Sequence, residues 1–228
     1  HIKAHILAHF VQKADQNKEI PEFPFICLVV SGGHTQIVLV KSPSDMSIIG
    51  STIDDAAGET FDKVSKIMDL GYPGGPIIDK LAKEGNPNAF SFAKPNVADY
   101  NYSFSGLKTS FLYFLRDNLV HDADFIAKHK ADLAASIQKT IIDILMKKLI
   151  KAVRDYGVKQ VAVSGGVSAN SGLRDAIVDA GKKYGWKVFI PPFEFTTDNA
   201  AMIAVAGYFK YKNGEFAKQT DVPYSRNS

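Results

Sequence analysis

The order of apolar runs along the 228 residues predicts an α/β lobe built on a mixed sheet flanked by helices. Three observations carry that class. Two β-branched runs, Phe25–Val30 and Gln36–Lys41, are hinged at Gly32-Gly33 in the pattern of an antiparallel hairpin. Downstream, amphipathic helical stretches alternate with short apolar strands, the order from which parallel pairing is built. Hydrophobic residues at 46% and charged residues at 22% are ordinary for a globular enzyme, and the chain is long enough to bury a sizeable core.

The elements follow in order. From His1 to about Lys13, Ile2, Ile6, Leu7, Phe10 and Val11 form a helical stripe. Asp15–Pro24 is polar and bracketed by proline, a loop. The hairpin follows, with Met46–Gly50 as a third strand. Gly58–Leu70 is a helix with Phe61, Val64 and Ile67-Met68 inward, stopped by Gly71-Tyr-Pro-Gly-Gly-Pro76. Another helix begins at Ile77–Leu81, and Lys83–Tyr102 is a long loop rich in Asn and Pro. Leu107–Leu119 is amphipathic, and Leu133–Val153 is a longer helix closed by Gly157. Gln160–Val163 is a buried strand, Ala169–Tyr184 a helix and Lys187–Ile190 a strand. After Pro191-Pro192, Asp198–Tyr211 is the last helix, and the tail beyond Asn213 is polar and loose.

The bulk numbers exclude some classes. A net charge of +3 neither demands nor opposes a nucleic-acid partner. The single cysteine, Cys27, cannot form an internal disulfide, and its apolar run suits a buried thiol in a reducing, cytoplasmic setting. No apolar stretch approaches the roughly 18–20 residues a membrane helix needs. The chain opens on His1 inside a helical pattern, which predicts a missing N-terminal portion.

Ser31-Gly32-Gly33 and Ser164-Gly165-Gly166 each follow an apolar strand, and glycine amides free of side chains suit a phosphate. The two turns, far apart in sequence, predict a nucleotide gripped from two sides; tight turns with no ligand are the alternative. Asn170, in the helix after the second turn, is placed to reach a base or ribose. His1 and His5 project from one helix face with metal-binding spacing, or they are a surface pair. Neither Ile2 nor Lys3 is the built-in base of a His-Glu-x-x-His protease. Asp198 is either an N-terminal cap of the last helix or a carboxylate ligand completing a two-His set. Glu59 and Asp62 share a helix face, as a solvated edge or a cleft lining. Gly74-Gly75 with Asp79 allow a ribose to approach, or simply stop a helix, and Lys108 in a first helical turn faces an anion.

Together, Ser31-Gly-Gly-His-Thr35, Gly58-Glu-Thr-Phe-Asp-Lys63, Tyr72-Pro-Gly-Gly-Pro76, Ser103-Phe-Ser-Gly-Leu-Lys-Thr109, Val163-Ser-Gly-Gly-Val-Ser-Ala-Asn170 and Thr197-Asp-Asn-Ala-Ala-Met-Ile203 resemble the TsaD family. These are tRNA N6-adenosine threonylcarbamoyltransferases, formerly described as O-sialoglycoprotein endopeptidases. Six motifs in order, from His1 to about Gly207, make the resemblance specific. It implies an actin-like, sugar-kinase-like ATPase (ASKHA, ribonuclease H-like) fold of two lobes, the first preceding His1. On that basis residues 1–20 are a metal-ligand helix and linker left from the first lobe, 21–195 the second lobe, and 196–228 a C-terminal helix and tail packing toward the first.

The resemblance implies a divalent metal, Fe2+ or Zn2+, at His1, His5 and Asp198. It implies substrate contacts at Val29, Val30, Ser31, Gly32, Gly33, Asp62, Gly75, Asp79 and Asn170. The implied reaction carries the threonylcarbamoyl group of threonylcarbamoyl-AMP to N6 of the adenosine 3′ of the anticodon, in tRNAs reading codons that begin with A. The implied partners are tRNA, the paralogue TsaB, the ATPase TsaE, and TsaC, which supplies the adenylate. The chain departs from the family at Lys3, where an acidic residue is usual, and in a slightly longer segment between His5 and Pro24. Val29 stands where archaeal relatives carry a tyrosine ligand; with His34, that points to the bacterial branch. A kinase of the same fold, a non-catalytic scaffold paralogue and a metallopeptidase are the rival readings, and this length of chain alone is expected to be inactive on tRNA.

Overall fold

The computed structural model describes residues 1–13 and 18–222. Its centre is a five-stranded sheet in the order β3-β2-β1-β4-β5, formed by β1 (Phe25–Val30), β2 (Thr35–Val40), β3 (Met46–Ser51), β4 (Gln160–Ser164) and β5 (Lys187–Phe189). Strands β1, β2 and β3 pair antiparallel, whereas β1, β4 and β5 pair in parallel. This is the mixed sheet expected from the sequence.

All six residues of β1 are buried, because both faces of the sheet are covered. Ile26, Leu28 and Val30 face the main core, and Phe25, Cys27 and Val29 face a second cluster, as the two-residue period of a strand requires. The main core is closed by α2 (Ala57–Ile67), α3 (Gly74–Ala82), α4 (Ser105–Leu119), α5 (Phe125–Tyr156) and α6 (Ser171–Tyr184). The opposite face is covered by α1 (Ile2–Leu7), whose Ile6 packs with Phe25, Cys27 and Val29. Helix α7 (Ala200–Lys212) lies outside α1, joined to it by Ala4, Ala8 and Met202.

Several boundaries differ from the sequence expectation. The first helix stops at Leu7 and tightens into a 3₁₀ turn over Ala8–Phe10. The expected loop at Asp15–Pro24 falls partly on residues 14–17, and the expected loose tail partly on 223–228, both outside the described residues. The long helix begins earlier, at Phe125, because two helical pieces join across a non-helical His129 (φ −114°); Gly157 in the left-handed region ends it. No helix among the described residues is long and apolar enough to cross a membrane.

His9, which the sequence reading passed over, fastens this second layer. Its Nε2–H donates to the Val163 carbonyl of β4 at 2.9 Å, from a site only 1% exposed. Burial lowers its pKa to about 4 from 6.5, against the opposing pull of the Val163 carbonyl. As pH falls, the unfolded state therefore takes up this proton first. The stability held by neutral His9 is complete above about pH 6.5 and lost progressively down to about pH 4, up to roughly 3 kcal/mol. Urea unfolding between pH 7.5 and 4 should show that loss, and His9→Gln, which keeps a donor and cannot be protonated, should flatten it.

Candidate metal and nucleotide site

Strands β1 and β4 pair in parallel with Val29 opposite Ser164, so both Ser-Gly-Gly turns leave the same edge of the sheet side by side. The expected grip from two sides is thus corrected to one continuous edge, because parallel pairing brings together segments far apart in sequence. The contact is close. A Cβ on Gly165 (φ +87°) would lie 2.4 Å from the Val30 carbonyl oxygen, and one on Gly58 at the start of α2 would lie 2.6 Å from that of Ser31. Gly32 and Gly33, by contrast, face open space.

Both serines have structural work. The Ser31 hydroxyl accepts from the His34 amide at 3.1 Å, and the Ser31 amide donates to the His34 carbonyl at 2.8 Å, which closes the turn. Ser164 is buried against the Cys27 sulfur at 3.4 Å, and burial pushes that thiol up to about 12. The glycine amides are therefore the groups left for an anion.

Beside these turns stand His1, His5 and Asp198. His5 Nε2–H donates to Asp198 Oδ1 at 2.9 Å, and His1 Nε2 lies 3.7 Å from the same oxygen. One donor atom from each residue falls within 4.8 Å of the others. Tetrahedral donors around a divalent ion with bonds near 2.1 Å are about 3.4 Å apart, so small side-chain rotations close the set. His5 is 4% exposed and is no surface histidine. Burial lowers its pKa more than Asp198 raises it, leaving a neutral imidazole suited to a metal. The capping role at α7 belongs to Asn199, whose side chain accepts from the Met202 amide at 2.9 Å, so Asp198 is free of it. Thr197 lies 4.0 Å from the position of a Cβ on Gly166, which sets the Asp198 segment against the second turn.

The other expected residues fall into two groups. Gly75 faces open space, and Asp79 is half-buried, holding the Ser171 amide and hydroxyl at 3.2 and 2.8 Å. Asp62 accepts from the Gly74 amide at 2.7 Å and so anchors the start of α3. The Val29 and Val30 side chains lie in the two cores, leaving only their backbone near the edge. Asn170 is not one turn into a helix as expected. A 3₁₀ turn over Gly166–Ala169 precedes α6, and Asn170 caps it, accepting from Leu173 while donating to Gln138 at 2.6 Å. Glu59 pairs with Lys63 on the solvated edge, and Lys108 is half-exposed in the first turn of α4.

Two residues that sequence reasoning missed shape the surroundings. Asp54 accepts from the Ser103 hydroxyl and from the amide and hydroxyl of the next residues, Phe104 and Ser105, capping α4; burial opposes ionisation, but these hydrogen bonds outweigh it and lower its pKa. Arg174 donates to the Ser168 carbonyl at 2.7 Å and the Pro191 carbonyl at 2.9 Å, with Phe193 stacked at 4.1 Å. It ties the second turn to the segment that leads to Asp198. Asp54 reaches about fifty residues along the chain and Arg174 reaches Pro191 across seventeen, contacts that no local pattern reveals.

Comparison with known proteins decides the family. The profile of the family described as TsaD, tRNA N6-adenosine threonylcarbamoyltransferase, matches residues 1–205. The chain belongs to the TsaD family. Among its TsaD relatives, a tRNA N6-adenosine threonylcarbamoyltransferase of Porphyromonas gingivalis is 63% identical over 99% of this chain and 66% of its own length. One of Phocaeicola vulgatus is 60% identical over 99% of this chain and 67% of its own. This TsaD chain thus spans about two thirds of those relatives. Full-length HypF, solved in a phosphate- and nucleotide-bound form, superposes with a TM-score of 0.66 over 95% of this chain and 36% of its own, at 11% identity. That likeness shows the fold alone, an actin-like ATPase architecture.

Proposed function

We propose that the protein containing this chain transfers a threonylcarbamoyl group from threonylcarbamoyl-adenylate to N6 of the adenosine 3′ of a tRNA anticodon. Membership of the TsaD family supports this. The observation that carries it is the meeting of His1, His5 and Asp198 beside two glycine turns on one sheet edge. The three residues would hold one divalent ion, Fe2+ or Zn2+, which supplies Lewis acidity toward the carbonyl and phosphate oxygens.

The chain's own groups do the positioning. The amides of Gly32, Gly33 and Gly166 bind the adenylate phosphate and offset charge on the departing AMP. The Gly75 backbone and the spare lone pairs of Asp79 receive the ribose hydroxyls, and Asp62 and Asn170 keep the α3 and α6 starts in place around them. The adenine N6 amine attacks the carbamoyl carbonyl carbon. A C–N bond forms, the bond from that carbon to the phosphate oxygen breaks, AMP leaves with the electron pair, and the amine gives up a proton. Holding both reactants in line supplies much of the rate.

TsaB, TsaE and TsaC are the partners this reading implies, with tRNA as substrate and the cytoplasm as setting. The full-length protein should convert a tRNA transcript and prepared threonylcarbamoyl-adenylate into modified nucleoside, counted by mass spectrometry after digestion. Chelation should suppress the product and one equivalent of metal restore it. Equal turnover without metal would contradict the reading.

A further inference from the structure

We propose that His34 is a positioning residue for the metal centre, its imidazole holding the His1 ring against His5 and Asp198. The inference rests on the reading that His1, His5 and Asp198 bind a divalent ion. Of the two histidines His1 is held the less firmly: its side chain is 49% exposed and stands 3.7 Å from Asp198, against 2.9 Å for buried His5. A ring this free must be ordered before it can ligate, at a cost in rotamer entropy.

Two edges hold it. The His1 ring meets His5 at a centroid distance of 5.2 Å and 66°, and His34 at 6.0 Å and 69°, both in the edge-to-face range. His5 closes one side, and His34 forms the other wall. The backbone of His34 is fixed for this purpose by the reciprocal Ser31 hydrogen bonds. Its neighbour Thr35 is fully buried, paired opposite Val30, and accepts from the Ala57 amide at 2.8 Å. The Ser-Gly-Gly-His-Thr run therefore does two jobs: glycines at the tip offer amides, and the histidine after them braces a ligand. Among the described residues the donor set drawn together is His1, His5 and Asp198, without His34, which makes it a support rather than a fourth ligand.

The test is a Co2+ titration of the metal-stripped full-length protein, reading affinity and the visible ligand-field spectrum. His34→Ala should weaken Co2+ binding by about 2- to 10-fold, the worth of one edge-to-face aromatic contact, with the band pattern unchanged. His34→Phe keeps an aromatic edge and has no nitrogen to donate, so it should recover most of the loss. Unchanged affinity in His34→Ala, or His34→Phe binding no better than His34→Ala, would overturn the proposal; a shifted spectrum in both would instead mark His34 as a ligand and overturn it equally. His5→Ala binding Co2+ as tightly as the unaltered protein would show that the ion sits elsewhere, a failure of the underlying reading.

Discussion

Asp198→Ala is expected to leave the full-length protein folded but without bound metal, and to cut threonylcarbamoyl transfer by more than about 100-fold, the most that loss of an orienting partner alone commands. The expectation of intact folding follows from exposure. The Asp198 side chain is 76% exposed and does not cap α7, so few packing contacts go with it. What goes is the anionic donor that faces both histidines. His5→Ala should remove metal too, but it also empties a buried site and mixes stability with function. Metal content by mass spectrometry, a thermal melt and the nucleoside assay separate these effects. A folded Asp198→Ala protein with full metal and full transfer would remove Asp198 from the site.

Gly165→Ala is expected to destabilise the fold by about 4 kcal/mol, near the upper end for a single substitution, lowering the melting temperature by roughly 8–16 °C for a chain this size. Two costs combine. At φ +87° an L side chain is strained, and its Cβ would stand 2.4 Å from the oxygen and 2.9 Å from the carbon of the Val30 carbonyl. Val30 cannot yield, because β1 is paired on both sides and buried throughout. Gly32→Ala is the contrast: its Cβ meets nothing within 4 Å, so the melt should hardly move while affinity for AMP falls. Equal melts for both variants would mean that the turns do not abut as described.

Much of this arrangement was legible in the sequence where one element carries the signal. The unbroken run Phe25–Val30 reads as a strand carrying a buried Cys27, and it is one. The spacing of His1 and His5 places both imidazoles on one helix face, and both reach Asp198. What spacing cannot supply is the pairing of β1 with β4, or a contact across the 193 residues between His5 and Asp198. Those depend on packing of the whole core; resemblance to a family supplied the ligand set, and neither periodicity nor composition did. His9 continues the four-residue spacing of His1 and His5. The change from α to 3₁₀ geometry at Ala8 sends it to Val163 instead.

Two glycine turns and a His-His-Asp set meet at one end of the sheet, a candidate site for a metal and an adenylate. The decisive measurement is a crystal structure of the full-length protein soaked with the metal and AMP. Anomalous density is expected about 2.0–2.2 Å from His1, His5 and Asp198, with the phosphate against the amides of Gly32, Gly33 and Gly166. Metal density away from those three residues, or a nucleotide phosphate that avoids both turns, would contradict it.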